Sequence, residues 1–207
     1  MTPLLVNGPA NAIATVVLAH GAGAGMEHDF MVTVAEGMAQ RGLRVVRFEF
    51  PYMHARREGR RPGPDRMPKL QECFREVIDS QTGPVILSGK SMGGRIATTI
   101  ADEVDAHAVI VFGYPFHPPG KPERPRTEHL ENLRTPTLII QGERDTFGTQ
   151  ADVADYKLSK QIGMSWLHDA DHSLKPRKIS GLTHEEHLAS AIDQAATFAE
   201  KHVRHAD

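Results

Sequence analysis

Three side chains far apart in the sequence, Ser91, Asp145 and His172, have the types and the chain order needed for acyl transfer. A serine hydroxyl attacks a carbonyl poorly until a base takes its proton. An imidazole serves as that base only when a carboxylate holds its tautomer and stabilises its cation. Ser91 lies in Gly89-Lys90-Ser91-Met92-Gly93, after the apolar run Pro84-Val85-Ile86-Leu87 and before the helix-like Arg95-Ile96-Ala97-Thr98-Thr99-Ile100. A strand, then G-x-S-x-G, then a helix is the setting in which a tight turn lifts the hydroxyl above a sheet edge. Asp145 follows the apolar run Thr137–Ile140 within Gln141-Gly142-Glu143-Arg144-Asp145. His172 follows Met164–His168 within Asp169-Ala170-Asp171-His172. Asp169 and Asp171 compete for the acid role but rank lower. Adjacency in sequence does not put a carboxylate on the far side of the ring.

The charge that develops on a substrate carbonyl needs two backbone N–H groups. One should come from Met92, after the serine and at the positive end of its helix. The other should come from the small-residue loop Gly21-Ala22-Gly23-Ala24-Gly25, where Ala22 is the chosen donor because small residues let backbone approach a ligand. Met53, Tyr114 and Phe116 follow predicted strands and are candidates for a substrate pocket, or for packing the loops onto the core.

These residues must be positioned by a sheet. Short β-branched runs at Thr15–Ala19, Leu43–Phe50, Pro84–Leu87, Ala108–Phe112, Thr137–Ile140 and Met164–His168 alternate with helical periods. The helices are expected at about 28–41, 66–80, 92–103, 127–133, 149–161 and 184–204. Alternation of this kind gives right-handed crossovers and a mostly parallel sheet of six or seven strands flanked by helices, an α/β class with 1–207 as one domain. Leu70, Cys73, Phe74, Val77 and Ile78 share one helix face, so Cys73 reads as core. The stretches 54–69, rich in arginine, and 113–126, rich in proline, read as loops at the carboxyl edge, where ligands bind in open α/β folds.

Other chemistries fit less well. Gly83 is followed by five residues before Gly89-Lys90-Ser91, whereas a phosphate-binding P-loop needs four. Met26 stands where a dinucleotide fingerprint needs its third glycine. His168 and His172 are spaced i, i+4 but fall in a predicted loop, and no metal-ligand set with known spacing occurs. His20 reads as a loop-orienting hydrogen-bond partner, His28 and His117 as surface or loop-packing residues, and His184 and His187 as solvated. The arginine-rich stretch reads as a solvated loop, as do Lys175, Arg177 and Lys178, although one of those three could reach the pocket mouth.

Lys plus Arg number 24 against 26 Asp plus Glu, a net charge of −2 that argues for neither nucleic acid nor an anionic membrane. The N-terminus lacks a basic start and long apolar stretch, and the single cysteine suits a reducing compartment, so the expected location is cytoplasmic. Nothing in the sequence sets an oligomeric state.

The segments HGAGAGMEHDFM, RFEFPYM, GKSMGGR, GYPFHPPGKPE, QGERDTFG and DHSLKPRK together resemble an α/β-hydrolase-like family. Its eukaryotic members include a testis-expressed protein and a subunit of the NSL chromatin complex. The resemblance spans roughly residues 15–200. It implies an α/β-hydrolase fold with no lid domain, and Ser91, Asp145 and His172 in the triad positions. It brings no substrate, and one branch of the family looks like a scaffold. Two readings follow. One is a serine hydrolase acting on a carboxylic ester or related acyl compound, thioester and amide included, with no cofactor. The other is a non-catalytic interaction module on the same fold. For the first, the absence of a cap predicts an open site suited to small or surface-presented substrates.

Overall fold

A computed structural model describes residues 2–204. Seven strands form one sheet: β1 Leu4–Asn7, β2 Thr15–Ala19, β3 Arg44–Phe48, β4 Val85–Lys90, β5 Ala108–Phe112, β6 Thr137–Gly142 and β7 Ile162–Leu167. Their spatial order is β1-β3-β2-β4-β5-β6-β7. Only β1 runs antiparallel, pairing Leu4 with Phe48 and Asn7 with Val45. The described residues also form the helices α1 Asp29–Gln40, α2 Pro51–Arg57, α3 Met67–Asp79, α4 Met92–Ile100 and α5 Gln150–Ala154 between strands, and α6 His184–Arg204 after the last strand.

The strands β2 (TVVLA) and β5 (AVIVF) are buried along their whole length, as parallel strands covered on both faces must be. Alternate residues feed two cores. Val16, Leu18, Val45 and Ile110 meet Val34 and Met38 of α1 and Ala191 and Ala195 of α6 on one face. Val17, Val46, Leu87 and Val111 meet Leu70 and Phe74 of α3 and Ile96 of α4 on the other. Cys73 lies in this second core, where burial pushes its thiol up to about 11.

The chain leaves β2 for β3, on the side of β2 that leads to the β1 edge, and then returns to pair β4 with the other side of β2. Crossovers on either side of β2 and β4 therefore diverge, opening a crevice at the carboxyl ends of these two strands. Ser91 follows β4 and the Gly21–Gly25 loop follows β2, so the topology brings them to one place.

Three expectations are corrected. Residues 51–57, read largely as loop, form α2, because Pro51 occupies the first turn, where its missing N–H costs nothing. The segment 127–133 is only a 3-10 turn over Glu128–Glu131, and 149–161 shrinks to α5 behind a capping box of Thr149 and Asp152. Strand β1 was not foreseen, since its four half-exposed residues carry too little pattern. Among the described residues, no helix is long and apolar enough to cross a membrane.

Candidate active site

The turn from β4 to α4 holds Ser91 at φ 52° and ψ −113°, a backbone conformation that a non-glycine residue adopts only under constraint. The flanking glycines supply the constraint through close packing. A Cβ on Gly93 would lie 2.5 Å from the Ala19 carbonyl oxygen, and one on Gly89 would strike the Gly93–Gly94 backbone. The Ser91 amide donates to the Phe112 carbonyl (3.1 Å). Among the described residues, the amides of Met92 and Ala22 donate to no protein acceptor. Gly21, just before Ala22, faces Ser91: a Cβ there would sit 3.7 Å from the Ser91 Cβ.

His172 Nε2 lies 2.8 Å from Ser91 Oγ, and its Nδ1 lies 2.7 Å from Asp145 Oδ2. Asp145 is fully buried at the turn after β6. Its Oδ1 accepts the Phe147 amide (2.8 Å), and its Oδ2 also accepts Gln141 Nε2 (2.8 Å). With both oxygens otherwise engaged by donors, the imidazole has one favourable tautomer. Nδ1–H donates to Asp145, leaving Nε2 to accept from the Ser91 hydroxyl. The Phe147 ring covers the imidazole at a centroid distance of 4.3 Å. Asp145 thus stands opposite the imidazole, while the rival carboxylates are occupied elsewhere. Asp169 pairs with Arg144 and Arg177, and Asp171 Oδ1 accepts the amides of Ser173 and Lys175 within its own turn.

Two supports were not foreseen. Gln141 spans the space behind Asp145, accepting from the Tyr114 amide (2.7 Å) and donating to the Tyr114 and Gly148 carbonyls (both 3.2 Å). Its only sequence signal was a polar residue at the buried end of a strand. Lys90, considered in the sequence only as part of a P-loop mimic, donates from Nζ to the His172 carbonyl (2.6 Å). Desolvation lowers its ammonium to about 8, against the pull of Asp145 and Asp171. Gly113 makes room for both, since a Cβ at its φ of 68° would come within 2.8 Å of Lys90 Nζ.

The loop after β2 is held from below. Phe50 N–H donates to His20 Nε2 (3.1 Å), so His20 Nδ1–H donates to the Gly21 carbonyl (2.7 Å). Burial lowers the pKa of His20 and favours this neutral form. His20 therefore orients the loop, as its position suggested. The Tyr52 hydroxyl donates towards the carbonyls of Gly21 and Ala22 (3.2 Å each). Buried Glu49 takes Arg57 through two bonds (2.7 and 2.8 Å) and the Met26 amide (3.2 Å). Through Arg57, the arginine-rich stretch is thus in part an anchor for the loop after β2.

A cleft of about 960 Å³ opens at Ser91 and His172 and runs between α1 and α6. Met53, Tyr114 and Phe116, the expected pocket residues, are absent from its wall. All three are buried in the second core, and the Tyr114 hydroxyl donates to the Arg126 carbonyl (2.8 Å). The wall is supplied instead by Phe30, Gly37, Leu188 and Ile192, because α1 and α6 lie on the opposite face of the sheet. His28 and His184 also line it, and His28 caps α1. His187 is buried against the Leu174 carbonyl (3.1 Å), correcting the solvated reading, and His117 is buried beside Asp152, away from the cleft. No group of three metal-binding side chains occurs among the described residues.

The chain belongs to the alpha/beta hydrolase domain family, whose profile matches residues 12–200. Solved structures with the same fold include an alpha-beta serine hydrolase homologue from Coxiella burnetii. It has 19% identity, a TM-score of 0.70, and coverage of 94% of this chain and 89% of that one. An α/β serine hydrolase without lid from Xanthomonas campestris gives 19% identity and a TM-score of 0.67, with 92% and 86% coverage. Est1E from Butyrivibrio proteoclasticus with ferulic acid bound gives 17% identity and a TM-score of 0.74, with 98% and 96% coverage.

Proposed function

We propose that this hydrolase cleaves a carboxylic ester or a related acyl compound through a covalent acyl-enzyme. The observation that carries the reading is the aligned chain of contacts from Ser91 Oγ through His172 to buried Asp145, opening onto a cleft. Ser91 Oγ attacks the substrate carbonyl carbon while its proton passes to His172 Nε2. The new oxyanion sits against the amides of Met92 and Ala22, each such donor contributing roughly 3–4 kcal/mol in comparable sites. The ester C–O bond breaks as His172 returns the proton to the leaving alcohol. Water, deprotonated by the same imidazole, then attacks the acyl-enzyme and regenerates Ser91. The residues need no metal or organic cofactor for these steps.

The sequence resemblance to the family with the testis-expressed protein and the NSL subunit belongs to the same proposal, as does a cytoplasmic location. A fluorophosphonate probe tests the activity directly. Labelling of the native protein that disappears in Ser91→Ala is the expected result. An unlabelled native protein, beside a serine hydrolase that reacts in the same tube, would favour the scaffold reading.

A further inference from the structure

We propose that the cleft between α1 and α6 is an acyl-chain site, seating an uncharged alkyl chain of medium length whose carbonyl lies at Ser91. This rests on the hydrolase reading and extends it to a substrate class. Three observations lead there. The cleft is continuous with the nucleophile and has an apolar floor of Phe30, Gly37, Leu188 and Ile192. Gly37 leaves room for Ile192 in that floor, since a Cβ there would lie 2.8 Å from Ile192 Cδ1 and 2.9 Å from its Cγ2, and that side chain would have to shift. From Phe30 to Arg41 the α1 wall spans roughly 16 Å at the rise of an α-helix, the reach of about a dozen extended carbons.

The charges along the rim choose a neutral tail over an anionic one. Asp29, Glu36 and Glu185 line the cleft, and Arg41 at its far end is already bound to Asp193 (Nε to Oδ1, 2.7 Å). Lys90, at the near end, is tied to the His172 carbonyl with its ammonium 5.7 Å from the Phe30 ring centre. A second carboxylate at the tail of the substrate would meet these acids, while among the described residues lining the cleft Lys90, Arg41, His28 and His184 each already have a partner. A methyl-ended chain meets only the floor. The site is open, as expected for a hydrolase without a cap, but it extends well past the reach of a small acyl group.

The test uses p-nitrophenyl esters from acetate to decanoate with the purified chain. The expected result is a rise in kcat/KM of about twofold per methylene, half the gain of full burial. Ala189→Trp on α6 and Thr33→Trp on α1 put bulk into the cleft from opposite sides. In each, the rise should stop near butyrate. Binding of hexanol and decanol, followed by backbone amide NMR, reads the site without any turnover. Decanol should bind roughly fifteenfold more tightly than hexanol, with shifts concentrated in 30–41 and 184–192. Equal affinities, or shifts elsewhere, overturn the acyl-chain site. So does a flat ester series in a protein whose Ser91 still takes the fluorophosphonate. Failure of that labelling strikes the hydrolase reading, while the alcohol series still judges the cleft.

Discussion

Lys90 Nζ donates to the backbone carbonyl of His172 across 2.6 Å, joining the residue before Ser91 to an imidazole residue 82 positions later. This bond fixes the main chain of the His172 loop to the end of β4, so the imidazole and hydroxyl are held by one brace. Lys90→Met should lower kcat/KM by about tenfold to a hundredfold, the usual worth of a hydrogen bond to a charged group. Ester kinetics with a short acyl group measure it.

The same lysine gives a signed pH prediction. Burial depresses its ammonium from 10.5 to about 8, so the native state carries a penalty for the charged form that is fully present below about 8. Between about 8 and 10.5 the unfolded chain holds more protons than the native one, and native stability rises with pH relative to Lys90→Met. Paired melting curves should therefore show the variant's Tm, relative to native, falling across that window. A constant difference would contradict the buried ammonium.

Asp145→Asn should reduce kcat about ten-thousandfold, as loss of the orienting carboxylate does in such triads. The amide NH₂ of asparagine would face either the Phe147 amide at Oδ1 or both His172 and Gln141 Nε2 at Oδ2. With its oxygen kept on Phe147, His172 must turn Nδ1 into an acceptor, leaving Nε2 protonated and unable to receive the Ser91 proton. Because Asp145 is fully buried, Tm should fall as well, but the folded variant should remain slow.

The parts of this site that were legible in the sequence are those set by local pattern. Ser91, Asp145 and His172 each follow a β-branched run, and a parallel sheet aligns such ends on one edge. Gln141 and Lys90 were not legible as supports because their partners, Tyr114 and the His172 main chain, are distant in sequence and meet only in the folded sheet. Met53, Tyr114 and Phe116 were read as either pocket or packing residues, and it is the packing alternative that they fill. Strand-end position fixes the edge, and only the packing of α1 and α6 decides which face keeps an open cleft. Helix α2 was hidden by its arginines, which the fold ties down: Arg57 pairs with buried Glu49 across the turn, and Arg56 Nε donates to the Pro62 carbonyl.

The elbow glycines predict a contrast. In Gly93→Ala the new methyl meets the Ala19 and His20 carbonyl oxygens at 2.5 and 2.7 Å, and both belong to backbone that cannot yield. The cost should be about 1–3 kcal/mol, with loss of activity as α4 moves off β2. Gly23→Ala meets nothing within 4 Å and should leave Tm unchanged. Thermal melts of the two variants side by side check this.

Asp169 predicts an acid limit to stability just behind His172. Hydrogen bonds from Arg177, with the charges of Arg177 and Arg144 beside it, hold its carboxyl at about 2, against an ordinary 3.8. The folded carboxyl is thus the stronger acid, so its contribution is present above about 4 and is lost as pH falls through about 2. Asp169→Asn should melt earlier than the native chain near neutral pH, and the two should converge towards pH 2. Because Asp169 also fixes the turn that carries His172, its Oδ2 taking the Arg177 amide at 3.0 Å, the variant should lose ester turnover before it unfolds on heating. Turnover and melting that fail together in the variant would assign Asp169 to global stability alone.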